Sequence, residues 1–275
     1  MSPIIKRSPA QLHIIDYEKI RQRDPAEIQN LIQASRPPTN GGRGVFYLDL
    51  RGPTTQQTLI DVKATYSGSV KYFQQSSNTK MNDFFEHENR GFKPGKIFET
   101  LEINHDEYTL RTYKLPAALE PSKVYIEGLL STCHAVTRDI QSVLLASTAN
   151  STSSQQGNGH VDVTRINPAS TPSETGLKIG FQSSDPKPWE VTGGAHTDMG
   201  ILSMLFYDAA TMELPSSASP DTWELIEPVD GCCVVNVADS LQKSTGGEFH
   251  SPIHRVVQPD NVPKSGTPMI IYYLR

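Results

Sequence analysis

A mainly β fold with flanking helices is the fold class this sequence predicts, and three observations predict it. Helical patterns fill the first half of the chain and short strands fill the second. There is no strand–helix–strand alternation of the kind that builds a parallel nucleotide-binding sheet. The strands recur at short intervals between turn residues, the pattern of a sandwich or barrel. A chain of 275 residues holds one large β domain or two small ones, and barrels of this size commonly fold as one.

The elements follow in order. Leu12 to Asp16 is a short apolar run that predicts a strand. Asp24-Pro25-Ala26-Glu27 starts a helix, with a capping carboxylate and a proline in the first turn. Ile28, Leu31 and Ile32 give it an apolar face. Gly44 to Leu50 predicts a strand closed by Gly52-Pro53. Thr55 to Phe73 predicts a longer helix, with Leu59, Val62, Tyr66, Val70 and Phe73 at helical spacing. Arg90 to Gly95 reads as a loop and Phe98 to Ile103 as a strand. Lys123 to Leu145 carries the clearest helical stripe: Ile126, Leu129, Leu130, Cys133, Val136, Ile140 and Leu144.

Residues 147–175 are rich in Ser, Thr, Asn, Gly and Pro, so a flexible insertion is expected there. It separates an N-terminal helix and strand region, 1–146, from a β core, 176–275, and the two are expected to pack as one structural unit. In the core, strands are expected at Leu177–Phe181, Gly200–Tyr207, Trp223–Ile226, Cys232–Val237, Ile253–Val257 and Met269–Leu274.

Composition excludes several functions. The net charge is −5 with no basic cluster, which leaves no electrostatic footprint for nucleic acid. No apolar run is long enough to span a membrane, and the first residues lack a secretory leader. Cys133, Cys232 and Cys233 cannot make a disulfide framework, so a reducing, cytoplasmic location is expected.

Chemistry concentrates in Gly193-Gly194-Ala195-His196-Thr197-Asp198-Met199-Gly200. A His and an Asp two apart on extended chain project to the same side, so an imidazole and a carboxylate can grip one ion. A further imidazole comes from His254, in His250-Ser-Pro-Ile-His254-Arg255-Val-Val. Two imidazoles and a carboxylate are the facial ligand set of mononuclear iron(II), leaving three positions open. His250 and His160 are additional imidazoles in loop-like sequence. Tyr47, Phe206 and Tyr207 are candidates to line a substrate pocket. Arg255 follows a candidate ligand on a strand, points away from the ion, and reads as a structural ion pair.

From Gly193 to Val257 the chain resembles the iron(II)- and 2-oxoglutarate-dependent dioxygenases, in the branch typified by isopenicillin N synthase. The resemblant stretches are the His196-Thr-Asp198 strand, Trp223 to Asp239, and Phe249-His-Ser-Pro-Ile-His254-Arg255. Upstream, Ile14-Ile15-Asp16, Gly44 to Leu50 and Arg90-Gly91-Phe92-Lys93-Pro94 occur in that family's order. The resemblance implies a double-stranded β-helix, a jelly-roll or cupin-like core with iron at its mouth. It implies 2-oxoglutarate as co-substrate, dioxygen, and a small organic substrate that is hydroxylated, desaturated or cyclised, as in specialised metabolism.

The chain departs from that family at one place. An Arg-x-Ser motif normally follows the distal histidine and grips the far carboxylate of 2-oxoglutarate with a bidentate guanidinium. No Arg lies between Arg255 and Arg275. Aligned on the last strand, Thr267 and Met269 take the motif positions, and Lys264 or Lys178 is the alternative cation. Family members also continue past the position of Arg275, so either a more open barrel mouth or one covered by a partner is expected. Two other readings remain on the sequence: an iron oxidase that uses no 2-oxoglutarate, and a non-oxidative barrel that binds or isomerises its ligand.

Overall fold

The structure is a computed structural model; it describes residues 8–86, 90–151, 174–183, 185–209, 211–217, 219, 221–258, 260 and 266–275. The first half of the chain builds β1 (Ile14–Asp16), α1 (Tyr17–Arg21), α2 (Pro25–Ser35), β2 (Val45–Asp49), α3 (Gln56–Phe73), α4 (Ser77–Lys80), β3 (Gly91–Lys93), β4 (Phe98–Asn104), α5 (His105–Leu110) and α6 (Lys123–Ser151). The second half builds β5 (Gly176–Gln182), β6 (Val191–His196), β7 (Leu202–Tyr207), β8 (Met212–Pro215), β9 (Trp223–Ile226), β10 (Cys232–Val237), α7 (Asp239–Ser244), β11 (His254–Val257) and β12 (Thr267–Leu274).

Local chemistry explains the main elements. The Asp24 carboxylate accepts the Glu27 amide at the start of α2, and Pro25 occupies the first turn. The expected stripe of α6 is fully buried from Ile126 to Leu144, and the helix continues past Leu145 to Ser151. One expectation is corrected. Residues 90–95 are not all loop, because Gly91–Lys93 pairs antiparallel with Thr100–Glu102. Gly91 adopts φ +68°, a left-handed turn into the strand that a side chain would strain. Of the candidate insertion at 147–175, residues 152–173 lie outside the described residues.

The strands form two sheets. The larger has the order β1-β2-β10-β7-β12-β5-β4-β3, and the smaller β6-β11-β8-β9. Alternation along β7 sorts its side chains between two cores. Leu202, Met204 and Phe206 join the helix-side core with residues of α3 and α6. Leu205 and Tyr207 pack in the space between the sheets, with Val45, Tyr47, Met212, Leu214, Ile226 and Val234. β12 behaves alike: Ile270, Tyr272 and Leu274 are buried in the helix-side core, while Met269, Ile271 and Tyr273 face a cavity between the sheets. Each fully buried leucine or isoleucine contributes about 1.5–3 kcal/mol relative to exposure. The helix-side core includes residues from Ile15 to Leu274 and so draws on both halves of the chain. No helix among the described residues is long and apolar enough to cross a membrane.

The α3–α6 contact contains a buried carboxyl. Asp61 faces Gly128, where an added Cβ would collide with Asp61 Oδ2. Gln57 Nε2 donates to Asp61 Oδ1 at 3.0 Å. Burial holds the Asp61 carboxyl above its ordinary range. A raised folded-state pKa means stability is retained below the unfolded value and lost as pH climbs through the folded one. Asp61→Asn keeps the Gln57 bond and removes that loss. Denaturant melts will therefore show the variant gaining on the order of 1 kcal/mol over the parent at pH 8, with no comparable gain near pH 4.

Candidate metal centre

β6 and β11 pair antiparallel, and their register sets His196 directly across from His254. The two rings lie 4.4 Å apart, centroid to centroid, tilted by 54°. Asp198 follows β6 in a short loop, with one carboxylate oxygen 3.7 Å from His254 Nε2. One ligand atom from each of the three residues lies within 4.8 Å of the others. Neighbouring donors on an octahedral ion with bonds of about 2.1 Å sit about 3 Å apart, so only a small closure would complete the site. Among the described residues, no other group of three His, Cys, Asp or Glu converges in this way.

Hydrogen bonds aim the donors. His196 Nδ1 lies 2.8 Å from the Gly194 carbonyl, and His254 Nδ1 lies 3.2 Å from the Pro252 carbonyl. A carbonyl only accepts, so each Nδ1 carries the proton and each Nε2 keeps its lone pair. Burial lowers the pKa of His254, against the opposing pull of Asp198, and favours the neutral ring that a metal requires. Asp198 Oδ2 accepts from Ser203 Oγ and, at 3.0 Å, from Asn236 Nδ2. That leaves Oδ1 facing His254. Asp239 holds the loop from below: its amide donates to the Asp198 carbonyl, and its carboxylate accepts from the Thr197 hydroxyl at 3.0 Å. Asp198 and His254 are buried, and His196 reaches the surface.

Beside the three residues lies a cavity of about 50 Å³ with an apolar wall that includes Leu205, Val256, Met269 and Ile271, and with Tyr207 and Tyr273 beside them. Two nitrogen donors and one oxygen donor therefore converge beside the cavity, an arrangement that could hold one metal ion.

A family model described as the 2OG-Fe(II) oxygenase superfamily matches residues 175–265, a span that contains all three converging residues. Over that span the chain is similar to this superfamily. A 2-oxoglutarate-dependent dioxygenase, frbH, of Dothideomycetidae sp. (strain 11243) is 25% identical over 97% of this chain and 82% of its own length. A second 2-oxoglutarate-dependent dioxygenase, from Gibberella zeae, is 25% identical over 97% of this chain and 80% of its own length. Among solved structures, a full-length Neurospora crassa protein in complex with alpha-KG superposes with a TM-score of 0.70 at 22% identity, over 99% of this chain and 88% of that one. The 2-oxoglutarate complex of the dioxygenase for auxin oxidation from Arabidopsis thaliana superposes with a TM-score of 0.71 at 16% identity, over 96% and 92%. The core has the jelly-roll fold that the resemblance implied, and iron(II), 2-oxoglutarate and dioxygen are the cofactors of the matched superfamily.

The remaining expected residues fall in different places. Lys178 is not at the cavity wall: its ammonium lies 3.0 Å from Glu102 and 5.3 Å over the Tyr273 ring. Thr267 is buried on the cavity face of β12. Lys264 and His160 lie outside the described residues. Phe206 touches the cavity from the helix-side core. The Tyr47 hydroxyl donates to the Glu227 carbonyl at 2.6 Å. Arg255 turns outward as expected, pairing with Glu213 at 2.7 Å and lying 4.0 Å over Trp223. Cys133 and Cys233 are buried, which pushes both thiols up and leaves them inert. Ser203 escaped the sequence reading. The available signal was a small hydroxyl residue among the large apolar and aromatic side chains of the Leu202–Tyr207 strand.

Proposed function

We propose that this chain is a mononuclear iron(II), 2-oxoglutarate-dependent oxygenase that oxidises a small organic molecule of specialised metabolism, with His196, Asp198 and His254 as the metal ligands. The observation that carries this reading is the convergence of two Nε2 lone pairs and one free carboxylate oxygen, while every other polar atom of those side chains is engaged. The donor set fits a ferrous ion, because two imidazoles and one carboxylate hold one face and leave the opposite face for exogenous ligands. Together with dioxygen and 2-oxoglutarate, the ferrous ion supplies redox chemistry that yields succinate, carbon dioxide and an oxidised C–H bond.

The chain's own residues do the rest. The Gly194 and Pro252 carbonyls fix the tautomers and ring planes. Ser203 and Asn236 occupy Asp198 Oδ2, so the carboxylate would offer a metal its other oxygen, Oδ1. Leu205, Val256, Met269 and Ile271 exclude water from the open face, which protects a reactive centre from side reactions.

Purified under argon and stripped of metal, the protein is expected to take up one ferrous ion per chain. On admitting dioxygen with 2-oxoglutarate it releases succinate, and a true substrate accelerates that release. Absence of iron uptake would refute the reading. Oxygen uptake that ignores 2-oxoglutarate would instead support the co-substrate-free oxidase.

A further inference from the structure

We infer that this chain holds the far end of its 2-oxo acid co-substrate with uncharged hydrogen-bonding groups, Gln182, Gln258 and Thr267, in place of a cation. The inference rests on the reading of the site as a 2-oxoglutarate-dependent centre.

Met269 and Val256 line the cavity, and the three residues continue the same strand faces one step beyond them. Thr267 lies two residues before Met269 on β12 and therefore shares its inward face. Gln182 is its direct partner on β5. Gln258 follows β11, and its Oε1 accepts from Gln182 Nε2. Four residues separate His254 from Gln258, about 13 Å along an extended chain at ~3.3 Å each. Imidazole and amide side chains reaching toward each other shorten that gap to one that a five-carbon diacid spans, chelating at one end and hydrogen-bonded at the other.

The layer is polar, buried and incomplete. Gln182, Gln258 and Thr267 are 1%, 2% and 5% exposed. Among the described residues, Gln182 Oε1 and Thr267 Oγ1 have no hydrogen-bond partner. Buried polar atoms are nearly always satisfied, so two such atoms on paired residues next to the cavity-lining Met269 mark a place that a ligand completes. No positively charged residue lines the cavity among the described residues. Lys178 is held by Glu102, and Arg255 by Glu213.

The two amides make the layer adaptable. Oxygen and nitrogen of a glutamine exchange places by rotation about the last bond. A concerted turn of Gln182 and Gln258 presents an N–H donor where Oε1 now points; it gives up the 3.3 Å bond from Gln258 Nε2 to the Ser183 carbonyl and requires the Thr192 hydroxyl, now an acceptor from Gln182 Nε2 at 3.4 Å, to donate instead. With the Thr267 hydroxyl, this layer serves a carboxylate in one arrangement and a carboxamide in the other. A cationic floor would favour the carboxylate strongly.

The test is calorimetric binding to the Mn(II)-loaded protein without dioxygen, using N-oxalylglycine and its carboxamide, N-oxalylglycinamide, as inert mimics. The two are expected to bind within about fivefold of each other, whereas loss of a charge-assisted bond would separate them by about a hundredfold. Gln182→Leu, Gln258→Leu and the near-isosteric Thr267→Val are each expected to weaken both mimics by about tenfold, while metal stoichiometry stays at one. Lys264→Ala is expected to change neither. A hundredfold preference for the carboxylate, or a loss confined to Lys264→Ala, would overturn the inference and leave the metal centre standing. If the metal-loaded parent binds neither mimic, the co-substrate reading fails and takes this inference with it.

Discussion

Asp198→Ala gives a folded protein that retains little iron, with 2-oxoglutarate-dependent oxygen uptake reduced by more than the ten- to hundredfold typical of losing a residue that merely supports a ligand. Two imidazoles then remain, one of them at the surface, and neither carries the negative charge that offsets a divalent ion. Ser203 and Asn236 also lose their acceptor, each at about 1–3 kcal/mol for a buried orphan. Asp198→Asn separates the two effects. Its amide oxygen still accepts from Ser203 and Asn236, so the melting temperature holds while iron binding falls. Elemental analysis after gel filtration, paired with an oxygen electrode and a thermal melt, reads all three quantities. An Asp198→Asn protein with a full complement of iron and undiminished turnover would dismiss these ligands.

Arg255→Ala has the largest expected effect on stability. Arg255 on β11 stands beside Glu213 on β8 in the antiparallel register, and Glu213 is completely buried. The guanidinium donates to it at 2.7 Å and stacks on Trp223, tying together three of the four strands of the smaller sheet. Removing the cation takes a charge-assisted partner away from a fully buried side chain, a loss of about 3–5 kcal/mol. For a chain of this length that lowers the melting temperature by about 10 °C. Adding Glu213→Gln to Arg255→Ala is expected to restore a good part of the loss, because a neutral amide is cheaper to bury than a carboxylate. Scanning calorimetry of the parent, the single variants and the double variant forms a cycle. Equal melting of parent and Arg255→Ala would show that the pair is dispensable.

Much of this architecture can be read before any coordinates. The α6 stripe, the Asp24 cap and the late strands follow from local periodicity and capping chemistry, and the His196, Asp198 and His254 trio follows from ligand chemistry. Other features depend on which strands become neighbours, and no local pattern encodes that. Met212 to Pro215 is too short and too mixed to read as a strand, yet as β8 it buries Glu213 beneath Arg255. Lys178 offered a free cation on paper, but the pairing of β4 with β5 puts Glu102 directly across from it. Gln182 and Gln258 are 76 residues apart and meet only because the two sheets face each other. Residues 90–95 carry a glycine at each of two turns and read as loop, but pairing with β4 makes part of them a strand.

The two-sided character of β12 has a consequence for how this enzyme can change. Adjacent positions on that one strand answer to different demands: Ile270, Tyr272 and Leu274 to the packing beneath the helices, Met269, Ile271 and Tyr273 to whatever occupies the cavity. Tolerance to substitution should therefore alternate residue by residue along it. New substrate preferences are accessible at every second position, while the positions between them stay closed to drift.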